Sequence, residues 1–150
     1  MTISFLGHSS LPHNIFLLDK IKSTIIENIS YKDNVIFLCG GYGDFDNLSA
    51  KICRSIKKAY DCEIVLVTPY ITLSQQEKLK YIAASDTYDS IMYPPLENIP
   101  PRLAIIKRNE WMIDQSDIII AYVKHKYGGA YRGLEYARRK KKQIINLAEQ

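Results

Sequence analysis

Short apolar runs alternate along the chain with longer stretches whose apolar residues recur every three or four positions. Thr2–Leu6, Val35–Cys39, Glu63–Thr68 and Asp117–Val123 are the runs, and their near-continuous apolar character predicts strands buried on both faces. Ile15–Ile29 carries Ile15, Leu18, Ile21, Ile25 and Ile29 at close to helical period, with His13 or Asn14 near its start after Pro12. Leu48, Ile52 and Ile56 share one face of a second helix, which Asp44 or Asp46 is placed to cap. The polar stretch 74–84 predicts a weak surface helix, and Tyr88–Tyr93 a short strand before Pro94-Pro95. Pro100-Pro101 opens a helix to about Gln115, since proline is tolerated in a first turn. Ala130–Lys141 predicts a last helix and Gln143–Leu147 a last strand.

Strands and helices that alternate in this way predict an α/β fold. It is a single three-layer αβα domain over residues 1–150, with a mainly parallel sheet of five or six strands. Three strands run into glycine-containing loops. In such sheets, ligands bind outside the carboxyl ends of the strands, where the strand order reverses.

Charge and cysteines narrow the picture. The net charge of +4 comes from 20 basic and 16 acidic residues, and five of the basic ones form the single run Arg138–Lys142. Without it the balance is 15 to 16, so the basic character belongs to one pentapeptide at a helix end, where cations favour the macrodipole. No aromatic-rich basic groove accompanies it, which argues against a nucleic-acid partner. Cys39, Cys53 and Cys62 are odd in number and match neither a zinc nor a redox spacing; they are expected as free core cysteines. His13 and His125 likewise show no metal spacing. No apolar run approaches the roughly 20 residues of a membrane span, and the N-terminus lacks a basic leader region, so a cytoplasmic location is expected.

The candidate chemistry falls in three clusters on the predicted sheet edge. The first is Gly7, His8 and Ser9, followed by Ser10: glycine admits a ligand close to the backbone, and hydroxyls bond phosphate or ribose. The second is Gly40, Gly41 and Gly43 with Asp44 and Asp46, a strand-to-helix turn that is neither a Walker nor a GxGxxG motif. One aspartate suits the helix cap and the other, Asp46, a ribose hydroxyl. The third joins Arg108 and Asn109 to Gly128, Gly129, Arg132 and Glu135. Arg108 is a candidate bidentate phosphate partner, against the reading of a surface arginine. Glu135 is a candidate nucleophile or base at a ribose C1′, against the reading of a solvated glutamate paired with Arg138 or Arg139.

These motifs in this order resemble the YpsA-like branch of the SLOG superfamily, named for the Smf/DprA and Lonely-Guy proteins. The residues that carry the resemblance are Phe5-Leu6-Gly7-His8, Gly40-Gly41-Tyr42-Gly43-Asp44-Phe45-Asp46, Arg108-Asn109 with Met112 and Ser116-Asp117, and Gly128-Gly129 before a helix. The resemblance implies a Rossmann-like domain that binds a nucleotide or a nucleotide-derived small ligand. The C-terminal half is also similar to the Lonely-Guy phosphoribohydrolases, whose signature is an arginine followed by Pro-Gly-Gly-x-Gly-Thr-x-x-Glu. Arg108, Gly128, Gly129 and Glu135 match it, while Tyr127, Tyr131 and Arg132 replace the proline, third glycine and threonine. Arg132 supplies charge in the threonine's place. A similar Arg-Asn, Ser-Asp and glutamate arrangement occurs in nucleoside deoxyribosyltransferases.

Ligand binding or sensing is therefore the first expectation. An N-glycosidic-bond enzyme using catalytic Glu135 and Arg108 is the second, and nucleic-acid binding through residues 138–142 the last. No cofactor or metal is called for. The Lonely-Guy similarity implies a homodimer.

Overall fold

The computed structural model describes residues 1–12, 15–69, 77, 86–96 and 98–149. It contains six strands: β1 (Thr2–Gly7), β2 (Val35–Cys39), β3 (Cys62–Val67), β4 (Ser90–Met92), β5 (Ile118–Tyr122) and β6 (Gln143–Asn146). Four α-helices accompany them among the described residues: α1 (Ile15–Asn28), α2 (Asp44–Ile56), α3 (Ala104–Gln115) and α4 (Gly129–Arg139). One 3-10 turn, Pro101–Leu103, leads into α3, and another, Leu147–Glu149, follows β6. The weak helix expected over 74–84 lies, Glu77 apart, outside the described residues, as do His13 and Asn14.

All strand pairs are parallel, in the order β4-β3-β2-β1-β5-β6. This is the expected three-layer, Rossmann-like fold with six strands. The period-2 pleat explains why apolar runs suit it, because successive side chains serve opposite layers. Ile3 and Phe5 of β1, Phe37 and Cys39 of β2, and Ile64 of β3 pack with Leu17, Ile21 and Ile25 of α1 and Phe45, Ile52 and Cys53 of α2. Leu6 of β1 and Ile119 and Ala121 of β5 meet Ile113 of α3 and Leu134 and Ala137 of α4. Leu38, Val65 and Val67 close over Met112 of α3. The three cysteines are free and buried. No helix of the described residues is long and apolar enough to cross a membrane.

The basic run is not uniformly solvated. Lys142 Nζ donates to the carbonyls of Asp114 and Ser116 at 3.1 and 3.0 Å, supplying partners where α3 ends. Arg138 pairs with Glu135 and Glu149.

The topology sets the site. From β1 the chain steps outward through β2, β3 and β4, then returns to the other side of β1 to lay down β5 and β6. The loops after β1 and β5 therefore leave in opposite directions, which opens a crevice between adjacent strand ends.

Candidate functional site

A cavity of about 350 Å³ occupies that crevice. Its wall is built from the loop after β1 (Gly7, His8, Ser9, Ser10), the loop after β5 (His125, Tyr127, Gly128), the start of α4 (Gly129, Ala130), and Asn109 and Arg108 of α3, with Tyr42 and Asp46 from the β2–α2 turn. Nine of the fifteen residues named in the three clusters thus line one cavity. Glu135 and Arg132 do not. They line an adjoining cavity of about 300 Å³ with Glu110 and Arg139, and Asn109 and Gly129 border both. Gly40, Gly41 and Gly43 line neither.

Hydrogen bonds fix the loop after β1 at both ends. The His8 N–H donates to the Tyr122 carbonyl at 3.3 Å, continuing the β1–β5 pairing. His8 Nε2 accepts from the backbone N–H groups of Lys124 and His125 at 2.9 and 3.2 Å. An imidazole that accepts at Nε2 is neutral there, and desolvation, assisted by nearby His125, holds its pKa below the ordinary value of 6.5. Further along, the Ser9 carbonyl accepts the Asp44 N–H at 2.9 Å, and Asp44 Oδ2 accepts the Leu11 N–H at 3.1 Å. Gly7 is needed for close approach: a Cβ there would stand 2.4 Å from the Phe45 ring.

Asp44 braces the first loop and does not cap α2. Asp46 does not cap it either. Gly43 is the N-cap residue, at φ 94°, and no side chain caps the helix. Asp46 turns its carboxylate inward, where Oδ2 accepts the Tyr42 N–H at 3.1 Å. Burial pushes this carboxyl up to about 6, against the opposing pull of the Arg108 guanidinium and the Tyr42 N–H. The protein's own carboxylate thus sits in the turn that the sequence offered to a ligand.

Arg108 is buried, with 2% of its surface exposed, and is no surface arginine. Its Nη1 donates to the carbonyls of Gly40 and Val67 at 2.8 and 2.9 Å, and its Nε to Asn109 Oδ1 at 2.9 Å. It ties α3 to the ends of β2 and β3 while carrying a positive charge into the cavity wall. Glu135 pairs with Arg138 one turn on, the solvated-pair arrangement weighed above.

The loop after β5 is held from the far side of the sheet. Asn146 accepts the Val123 N–H with Oδ1 and donates to the Val123 carbonyl with Nδ2, both at 3.0 Å, so one side-chain amide takes the place of a strand residue. Gly128 then adopts φ 90° as the N-cap residue of α4. A Cβ on Gly128 or Gly129 would meet nothing within 4 Å. The first turn of α4 holds no acidic residue, in contrast to Asp44 and Asp46 at the start of α2. Free N–H groups, the positive helix end and open space coincide at this corner.

Sequence reasoning passed over His125 as a site residue. Its ring lies 4.8 Å from that of His8 and 5.2 Å from that of Tyr127, stacked at 17° on the latter. Its place two residues before Tyr127, just past β5, was the available signal; a search for metal spacing does not use it.

No family model and no curated protein match the chain by sequence. Solved structures match it by fold. DNA processing protein A from Helicobacter pylori, whose structure is described for its single-stranded DNA binding mode, superposes with a TM-score of 0.64 at 15% identity. The match covers 96% of this chain and 63% of that one. DNA processing protein A from Streptococcus pneumoniae gives a TM-score of 0.66 at 11% identity, over 95% and 48%. The structural-genomics target TM1055 gives 0.60 at 13%, over 96% and 72%. The chain thus spans less than two thirds of either DNA processing protein. The likeness is one of fold.

Proposed function

We propose that this chain is a SLOG-type domain, of the YpsA-like branch, that binds a nucleotide or nucleotide-derived small ligand in the crevice between the ends of β1 and β5. The observation that carries this reading is the empty corner at Gly128 and Gly129 in the wall of the 350 Å³ cavity. A phosphate there is met by the N–H groups of α4, with the buried Arg108 charge behind it. Ser9 and Asn109 supply hydroxyl and amide partners for a ribose, and Asp46 completes the polar wall.

A thermal-shift screen with nucleoside monophosphates, ADP-ribose and NAD tests the reading. A ligand at a hundred times its dissociation constant adds about 2.7 kcal/mol, which moves the midpoint by several degrees. The absence of a shift with every one of them overturns it. Single-stranded DNA belongs in the same screen. The fold shared with a DNA-binding protein weakens the expectation against nucleic acid, and Lys124 and Lys126 flank the cavity's aromatic residues on an exposed loop.

The second reading is N-glycosidic bond cleavage, with Glu135 acting at C1′ and Arg108 and Arg132 holding phosphate. Its support is that Asn109 and Gly129 border both cavities, so Glu135 is one side chain from the ligand. It requires Glu135 to leave Arg138. Release of free base from a nucleoside monophosphate, lost in Glu135→Ala, is the expected outcome under this reading; release that persists in the variant removes Glu135 from the chemistry.

A further inference from the structure

The rings of His8, His125 and Tyr127 form a row along one wall of the cavity. His8 and His125 stand 4.8 Å apart at 37°, and His125 and Tyr127 5.2 Å apart at 17°. The row starts from a fixed point, because two backbone N–H groups hold His8 Nε2. Its other end is open. Tyr127 leaves 71% of its surface exposed although one face is stacked, and it directly precedes the Gly128 N-cap. A large aromatic ring exposed at the mouth of a cavity, and held in plane by a neighbour, is a pre-ordered surface for another flat ring. A planar group stacked on it sits beside the N–H groups at the start of α4.

We propose that Tyr127 is the nucleobase platform of this site: the base of the ligand extends the ring row by stacking on Tyr127, while its phosphate lies at Gly128–Gly129. This inference rests on the nucleotide reading above and adds which residue takes the base. Stacking is tolerant of base identity, since every base has a π-face, so selectivity among bases is expected to be weak. The base comes either from a mononucleotide or from a single strand, and both present the same face.

Calorimetric titration of wild type, Tyr127→Ala and Tyr127→Phe with adenosine monophosphate, ribose 5-phosphate and a short deoxyadenosine oligonucleotide tests it. Loss of the ring in Tyr127→Ala is expected to weaken adenosine monophosphate about tenfold, and Tyr127→Phe to stay within about twofold of wild type. Ribose 5-phosphate, which has no base, is expected to bind all three proteins alike. Equal binding of adenosine monophosphate to wild type and Tyr127→Ala overturns the platform and leaves the nucleotide reading standing. An equal loss for ribose 5-phosphate also overturns it, because Tyr127 then serves something other than the base. If the oligonucleotide alone binds, and Tyr127→Ala weakens it, the platform holds and the small-ligand reading falls. If nothing binds wild type, both fall together. Tyr127 is exposed, so an unchanged unfolding midpoint is expected to show that each variant is folded.

Discussion

Two turns in this molecule look alike in sequence and in backbone, and they do opposite things. Each joins a parallel strand to a helix through glycines, and each places a glycine at the N-cap with φ near 90° and ψ near 180° (94° and 177° at Gly43, 90° and −179° at Gly128). The turn after β2 is full. A Cβ on Gly40 would lie 2.8 Å from Asp46 Oδ2, one on Gly41 2.5 Å from Leu66, and one on Gly43 2.6 Å from the Ser9 Cα. Its Tyr42 N–H already has the Asp46 carboxylate as a partner. The turn after β5 is empty, and no acidic side chain stands in the first turn of its helix. In the first turn glycine makes room for the protein, and in the second it leaves room for something else. The internal carboxylate makes the difference: a helix N-terminus that has its own anion has less to offer a second one.

Gly43→Ala gives the largest expected effect that would break or keep this contrast. It combines a backbone conformation that is almost exclusive to glycine with an overlap against Ser9, and a loss of about 4 kcal/mol is expected in urea unfolding. A loss of only about 2 kcal/mol, the backbone strain alone, would show that the first turn is as open as the second.

The next concerns Asp46. Its carboxyl is raised from 3.8 to about 6 by burial, so the folded state holds this proton more tightly than the unfolded chain does. Stability from the protonated form is complete below pH 4 and is lost as the pH rises through 6, by up to about 3 kcal/mol. Asp46→Asn is expected to flatten that fall when unfolding is followed from pH 4 to 7. The His8 contribution runs the other way. Its lowered pKa adds stability above pH 6.5 that is lost as the pH falls below it, and this part is expected to remain in Asp46→Asn. An unchanged profile in the variant would place the Asp46 carboxylate in solvent.

Gly128→Ala carries the strain without the overlap, so about 2 kcal/mol is expected, clearly less than at Gly43. Equal losses at the two positions would mean that backbone strain alone governs both turns. Smallest of all is Gly129→Ala, at the first position of α4 with nothing near its Cβ. Stability is expected to change by less than about 0.5 kcal/mol, while the affinity for any phosphate ligand found in the screen falls. Unchanged affinity in that variant would remove this corner from the site.

The strands were legible because a parallel sheet buried on both faces leaves an unbroken apolar signature, and five of the six begin and end within about a residue of the pattern. The glycines at strand ends marked three loops; Gly7, Gly128 and Gly129 line the cavity, while Gly40, Gly41 and Gly43 line neither cavity. What the pattern did not carry was direction. Asp44 and Asp46 both had the chemistry of a cap, yet Gly43 takes the N-cap position, and each carboxylate bonds a backbone N–H outside the helix. Arg108 reads in the sequence as a phosphate partner or a surface arginine; only the carbonyls of Gly40 and Val67, distant in sequence, show that it is buried and tied. Glu135 stands at the catalytic offset in the chain, and the structure puts it behind Gly129 in the adjoining cavity. The separation of one helix face from the next is a matter of packing, which a motif counted in residues does not record.

The side-chain amide of Asn146 has a consequence for how this loop can change over time. The segment after β5 is clamped at Val123 by Asn146, at Lys124 and His125 by His8, and at Gly128 by the start of the helix, where the Gly128 carbonyl accepts the Arg132 N–H. Lys126 and Tyr127 lie between the clamps with their side chains exposed. Substitution at Tyr127 alters what the cavity mouth presents, substitution at Lys126 alters the neighbouring surface, and both leave the supports of the fold in place. Under the proposed reading, a laboratory library restricted to these two codons samples recognition with little loss of folded protein.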